Sequence, residues 1–189
     1  MKTIHVLVLF VIVCLAQIFV PTKMILNREE VLSSGTLYKF KTVPIDPADP
    51  FRGKYITLNF EIDRHKTNDT MWQRDEKIYV YLDVDSLGFA KVNKVSREIL
   101  PDVTQDYVEA KVDWYANYSK ELNIEFPFDR YYMEETKAYD AEVAVRENQS
   151  DSQLQNVYAL VYVKEGASVL KDVIINELPI KDFVEKHEK

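Results

Sequence analysis

Cysteine and histidine are nearly absent from this sequence. The one cysteine, Cys14, lies inside a hydrophobic N-terminal run. The rest of the chain therefore has no disulfide, no thiolate nucleophile and no cysteine-based metal site. Of three histidines, His5 falls in the same run and His187 in a charged C-terminal tail. His65 alone is too little for a histidine metal cluster, so neither a metal nor a cofactor is expected. Cations are also the minority: 24 Lys and Arg face 31 Asp and Glu, a net charge of −7. Nucleic acid is not an expected partner, because phosphate binding calls for a cationic surface. A phosphate loop, a dinucleotide fingerprint, a nucleophile elbow and a zinc-protease motif are missing too.

What is present begins with residues Ile4 to Val20, where His5 and Gln17 are the only strongly polar side chains. Spanning a bilayer takes about 20 apolar residues. Met24, Ile25 and Leu26 lengthen the run past Pro21. A cleaved signal peptide would need a small-x-small site, and none stands between Ala16 and Ser34. A lipoprotein would use Cys14, but Val13 precedes it where a small residue belongs. The pattern therefore predicts a retained signal-anchor over residues 1–35, with helix continuing through Asn27–Leu32 and Gly35 as a left-handed C-terminal stop. Charges flanking the span are nearly balanced, Lys2 against Lys23 and Arg28. We place the N-terminus inside and the remainder on the extracytoplasmic side, because the rest of the chain has no second span.

Residues 36–189 read as one β-rich domain. Tyr38 and Phe40 alternate with lysines. Ile56, Leu58, Phe60 and Ile62 share one strand face, as do Ile78, Val80, Leu82 and Val84. The pattern returns in Val108, Ala110, Val112 and Trp114, and again in Val157, Ala159, Val161 and Val163. Period-two alternation of this kind marks half-buried strands. Ser86-Leu87-Gly88 and Glu165-Gly166 are turns that close hairpins. Ala138, Ala141 and Val145 predict one helix within Tyr132–Glu147, and 148–155 reads as a polar loop.

The domain also looks internally repeated. Lys77-Ile78-Tyr79-Val80 answers Asn156-Val157-Tyr158-Ala159, Gly88 answers Gly166, and Val95 answers Val173, at a steady offset of roughly 78. The expected architecture is mainly β (α+β): a membrane helix, then two packed, pseudo-repeated antiparallel units at about 36–100 and 101–180, with one helix in the second. Each unit alone would have a marginal core.

The most distinctive stretch runs from Val43 to Phe60. Pro44, Pro47 and Pro50 stiffen it and exclude helix. Asp46 and Asp49 can accept nearby backbone N–H groups and fix turns. Gly53 permits a bulge before the strand. The corner would present Arg52, Lys54 and Tyr55, and a second corner, Phe128-Asp129-Arg130-Tyr131-Tyr132, echoes it. Arginine and tyrosine are enriched at binding hot spots. They are equally at home as packed corners, with Arg52 paired to Asp46 or Asp49 and Arg130 neutralised by Asp129, Glu134 or Glu135.

The segment Gly53-Lys54-Tyr55-Ile56-Thr57-Leu58-Asn59-Phe60 resembles the GDYXXLXY family, named for its own motif. Lys54 stands where that motif has Asp, and Phe60 where it has Tyr. Gln17, Pro21, Glu30, Leu32, Gly35, the Pro44-Ile45-Asp46-Pro47 lead-in, Asp129-Arg130-Tyr131-Tyr132 and the last hairpin extend the similarity along nearly the whole chain. The resemblance implies a bacterial membrane-anchored protein encoded near multi-pass membrane proteins, and it implies no activity.

Two functions remain open at this point. The first is a non-catalytic accessory that docks on a multi-pass membrane partner through Arg52, Lys54, Tyr55, Arg130, Tyr131 and Tyr132, with Asp46, Pro47, Asp49, Gly53, Leu58 and Phe60 as its structural frame. The second is an envelope hydrolase using carboxylates among Asp46, Asp49, Glu61 and Asp63. A signal-peptidase-like site would need a serine just before Gly53, and 46–50 contain none. Asn68, Asn117 and Asn148 head Asn-x-Ser/Thr sequons, which matter only in a glycosylating secretory pathway.

Overall fold

A computed structural model of the chain describes residues 3–43, 55–133 and 157–187. Helix α1 (Thr3–Ser34) is 32 residues long and carries Pro21 in its interior. Its apolar side chains are exposed around the whole circumference, with none of the 18-residue apolar window buried. A helix apolar on every side needs a lipid or protein environment. By length and composition α1 can cross a membrane, a property that an export signal shares.

The helix is tied to the domain at its far end. Val31 is buried, and the Gly35 N–H donates to the Val31 carbonyl at 2.9 Å. Lys164 Nζ lies 2.6 Å from Glu30 Oε1 and 2.9 Å from Ser34 Oγ. Gly35 does not adopt the left-handed conformation expected of it, since only Gly88 and Gly166 among the described glycines have positive φ. Glycine is needed there for space instead: a Cβ would sit 2.5 Å from the Val31 carbonyl oxygen and 2.9 Å from that of Val163.

Twelve strands follow: β1 (Thr36–Val43), β2 (Tyr55–Thr57), β3 (Asn59–Phe60), β4 (Arg64–Lys66), β5 (Lys77–Val84), β6 (Ala90–Ser96), β7 (Tyr107–Ala116), β8 (Glu121–Glu125), β9 (Arg130–Tyr132), β10 (Val157–Lys164), β11 (Ala167–Ile175) and β12 (Leu178–Pro179). Helix α2 (Ile180–His187) ends the described chain. One sheet runs β12-β11-β10-β1-β3, a second runs β4-β8-β7-β5-β6, and β2 pairs with β9 in a short ladder of its own. All named pairings are antiparallel. Parallel bridges Lys39–Phe89 and Val108–Gly166 join the two large sheets.

The hairpins β5–β6 and β10–β11 are built alike. Gly88 and Gly166 stand 78 positions apart with φ of 85° and 86°. Each hairpin carries one register shift, after Tyr81 in one and after Leu160 in the other. Their third strands are exchanged. Strand β1 lies against β10, and β7 lies against β5. Each large sheet therefore mixes strands from both halves of the sequence, and neither 36–100 nor 101–180 completes a sheet alone.

The core fills the space where the sheets meet. The inward residues of β5 (Ile78, Val80, Leu82), β7 (Val108, Ala110, Val112) and β10 (Val157, Ala159, Val161, Val163) are all buried. Phe40, Phe60, Phe126 and Phe128 pack as one aromatic knot, with ring centroids 4.8 to 6.3 Å apart. Such edge-on pairs add to simple area burial.

Four local expectations change. The strand face Ile56-Leu58-Phe60 is buried as read, but a 3-10 turn over Glu61–Asp63 removes Ile62 from it. Trp114 is half exposed, because a bulge between Val112 and Trp114 resets the alternation of β7. Tyr132 lies in β9 and not at the head of a helix, while 134–150 fall outside the described residues, as does the loop 148–155. The charged tail is instead α2, whose Ile180, Phe183 and Val184 are buried at helical spacing.

Candidate functional site

The β2–β9 ladder brings the two aromatic corners together. Tyr55 pairs with Tyr132, Ile56 with Tyr131 and Thr57 with Arg130. Alternation sends Ile56 and Tyr131 inward, where both are buried. It sends Tyr55 and Tyr132 outward, with rings 5.5 Å apart. The Arg130 guanidinium lies 5.1 Å from the centre of the Tyr55 ring, within cation–π range. Arg130 Nε is 3.9 Å from Asp129 Oδ1, so the local partner expected for this arginine is in place. Tyr132 keeps 65% of its surface exposed.

Tyr131 has a different task. Its hydroxyl donates to Asp172 Oδ1 at 3.0 Å, linking the ladder to β11. Burial, then the Asp172 charge, push its ionisation well above the usual range. The Leu58 N–H donates to the Asp129 carbonyl at 2.7 Å, and the Leu58 and Phe60 side chains are buried. Those two motif positions hold the corner in place from within. Asp46, Pro47, Asp49, Arg52, Gly53 and Lys54 lie outside the described residues.

A cleft of about 750 Å³ opens on the other side of Asp129. Asp63, Asp129, Glu61, Arg64, Arg74 and Asn123 are among its lining. Asp63 accepts the Phe60 N–H at 2.6 Å. Burial pushes the Asp63 carboxyl up to about 7, and the nearby Asp129 adds to the rise. Burial also raises the Asp129 carboxyl, against the pull of Arg130. Glu61 is drawn off to Lys41 at 3.1 Å. Asn123 is buried, and its Nδ2 has no hydrogen-bond partner among the described residues. His65 is half-buried, and burial lowers its pKa. Among the described residues no three His, Cys, Asp or Glu side chains gather as metal ligands.

Sequence reasoning assigned Asp129 only as a neutraliser of Arg130 and passed over Asn123. Neither carries a local signal: Asp129 meets Asp63 only because β8 and the turn after it fold back beside β3 and β4.

No curated protein matches this chain, and no solved structure matches it. The GDYXXLXY protein family matches residues 17–173, from the second half of α1 to the middle of β11. That match covers most of the chain, including both corners, and the chain belongs to the GDYXXLXY family.

Proposed function

We propose that this protein is a non-catalytic accessory of the cell envelope. Helix α1 stays in the membrane as a single span, and the β domain, on the extracytoplasmic side, docks on a multi-pass membrane protein. The observation that supports this reading is the outward cluster on the β2–β9 ladder. Tyr55, Arg130 and Tyr132 are preordered by a tilted ring contact and a cation–π contact, and Tyr132 remains largely open to solvent. Rigid aromatic and arginine side chains lose little entropy on binding, which suits them to a docking face.

A photo-crosslinking side chain at position 132 of the full-length chain in cells tests it. A discrete membrane-protein adduct is expected, and it should disappear in Arg130→Ala/Tyr55→Ala while that variant keeps its thermal unfolding transition. Absence of an adduct from the otherwise wild-type chain overturns the reading.

A carboxylate-dependent hydrolase is the second reading, favoured by Asp63 and Asp129 lining one cleft with raised carboxyls. The Phe60 N–H bond already gives Asp63 a structural use as the cap of its turn. The two readings separate cleanly. Asp63→Asn and Asp129→Asn should leave the position-132 adduct intact, whereas they would abolish hydrolysis of any envelope ester or glycoside.

A further inference from the structure

The chain is acidic overall, yet one groove is not. It has a volume of about 790 Å³ and runs from the Arg130–Tyr132 corner to Arg28 on α1. Six cationic side chains line it against three carboxylates. Lys77 is paired with Glu109 at 2.8 Å, and Arg130 sits near Asp129. Arg28, Lys111 and Lys181 are exposed and form no ion pair with another described residue. These three come from α1, β7 and α2, which only the fold brings to one place.

The level of the groove identifies what would neutralise it. The stretch from Ile4 to Leu26, in which Lys23 near the far end is the one charged side chain, extends roughly 34 Å as α-helix, close to the thickness of a bilayer core. Arg28 lies two residues farther on, roughly 3 Å along the axis, at the depth of lipid headgroups. A second, smaller cleft of about 320 Å³ shares Arg28, Glu109, Pro127, Ser168 and Val169 with the groove. Ser168 Oγ, where the two meet, has no hydrogen-bond partner among the described residues. A free anion would be held by the cations alone, whereas the bilayer itself presents anionic headgroups at the depth of Arg28.

We infer that the groove between α1 and the β2–β9 corner binds the headgroup of an anionic phospholipid. Arg28, Lys111 and Lys181 contact the phosphate, and the acyl chains stay in the bilayer below it. The inference rests on the anchored reading above, but not on a protein partner. Cations at the bilayer surface draw anionic lipid by long-range attraction. A groove adds a fixed position and a preference that survives lipid exchange.

The test uses the full chain purified in mild non-ionic detergent and exchanged into nanodiscs of phosphatidylcholine, alone or mixed with phosphatidylglycerol. Native mass spectrometry after release reads which lipid stays bound. Wild type should retain phosphatidylglycerol over phosphatidylcholine. Arg28→Gln/Lys181→Gln should lose that preference, by about fivefold per cation removed. Lys66→Gln/Lys94→Gln, which removes exposed cations outside the groove, should keep it. Equal retention of the two lipids by wild type, or an unchanged preference in Arg28→Gln/Lys181→Gln, overturns the inference. Alkaline extraction of cell membranes separates the two failures. A chain released by alkali refutes the anchor and with it the lipid site. A chain that stays in the membrane without a lipid preference refutes the lipid site alone.

Discussion

Replacing Asp63 by asparagine should stabilise the protein at neutral and alkaline pH and not in acid. The Asp63 carboxyl is held at about 7 in the fold, mainly by burial, against 3.8 for the free side chain. Below pH ~4 it is protonated both folded and unfolded, and burial carries no charge penalty. Between pH ~4 and ~7 the unfolded chain releases the proton while the folded chain keeps it, so stability falls as pH rises. Above pH ~7 the loss is complete. Three pKa units correspond to about 4 kcal/mol, an upper bound because Asp63 is only partly buried and can relax. Asparagine removes the charge and keeps an oxygen for the Phe60 N–H. Discounted for relaxation, the gain is about 2 kcal/mol at pH 8, whereas near pH ~4, where the Asp63 carboxyl is itself neutral and its bond to the Phe60 N–H is not charge-assisted, the change is close to zero. Urea unfolding of the full chain in detergent, followed by the fluorescence of Trp72 and Trp114, measures both. A variant less stable than wild type by the same amount at the two pH values would refute the reasoning. Because Asp63 and Asp129 interact, Asp129→Asn belongs in the same series, and it should lower the pH at which the wild-type loss occurs.

Gly35→Ala should lower stability by about 1–3 kcal/mol and loosen the tie between α1 and the domain, since the new methyl meets two backbone carbonyls. Thermal unfolding reads the first effect, and faster amide exchange at residues 31–36 reads the second. Phe40→Ala, at the centre of the aromatic knot, should cost about 3–5 kcal/mol in the same urea assay. Tyr38 donates its hydroxyl to Asp106 at 3.1 Å, and burial followed by the Asp106 charge pushes it up to about 12. Ultraviolet titration should find a tyrosine ionising near that pH, and Tyr38→Phe should remove it. The stability this group contributes is complete below pH ~10 and lost as pH rises through ~12.

Alternation in the sequence told which side of most strands would be buried, and Ile78, Val80 and Leu82 or Val157 to Val163 obey it, whereas Val84, expected on the inner face of β5, is exposed and Tyr81 of the opposite parity is buried beside a register shift. It could not tell which strand would lie beside which. Tyr38 and Phe40 would read the same beside β5 as beside β10, because a period-two pattern specifies a face and not a neighbour. The likeness of the two hairpins was legible through Gly88 and Gly166, whose left-handed backbones mark both turns. The exchange of their third strands leaves no mark in sequence. Trp114 was misplaced for a local reason, an inserted bulge residue, and α2 was missed because three apolar residues in a charged tail are a faint signal. At the site, the sequence marked both corners, and only the fold pairs Tyr55 with Tyr132. The cations of the groove come from scattered stretches of chain, none unusual alone, and only the fold gathers them.

The exchange of β1 has a bearing on biogenesis. Strand β1 follows α1 after a single residue, yet its partner β10 lies more than a hundred residues later. During synthesis α1 and β1 can emerge long before residue 157 exists. Until then β1 has one free edge, a ready template for mispairing. The first hairpin, β5–β6, also waits for β7 to close it. Completion of the fold is therefore timed by the end of translation, and premature termination anywhere before β10 would leave a sticky fragment in place of a smaller working domain. Chaperones that shield strand edges should meet this chain early and hold it until the second hairpin arrives.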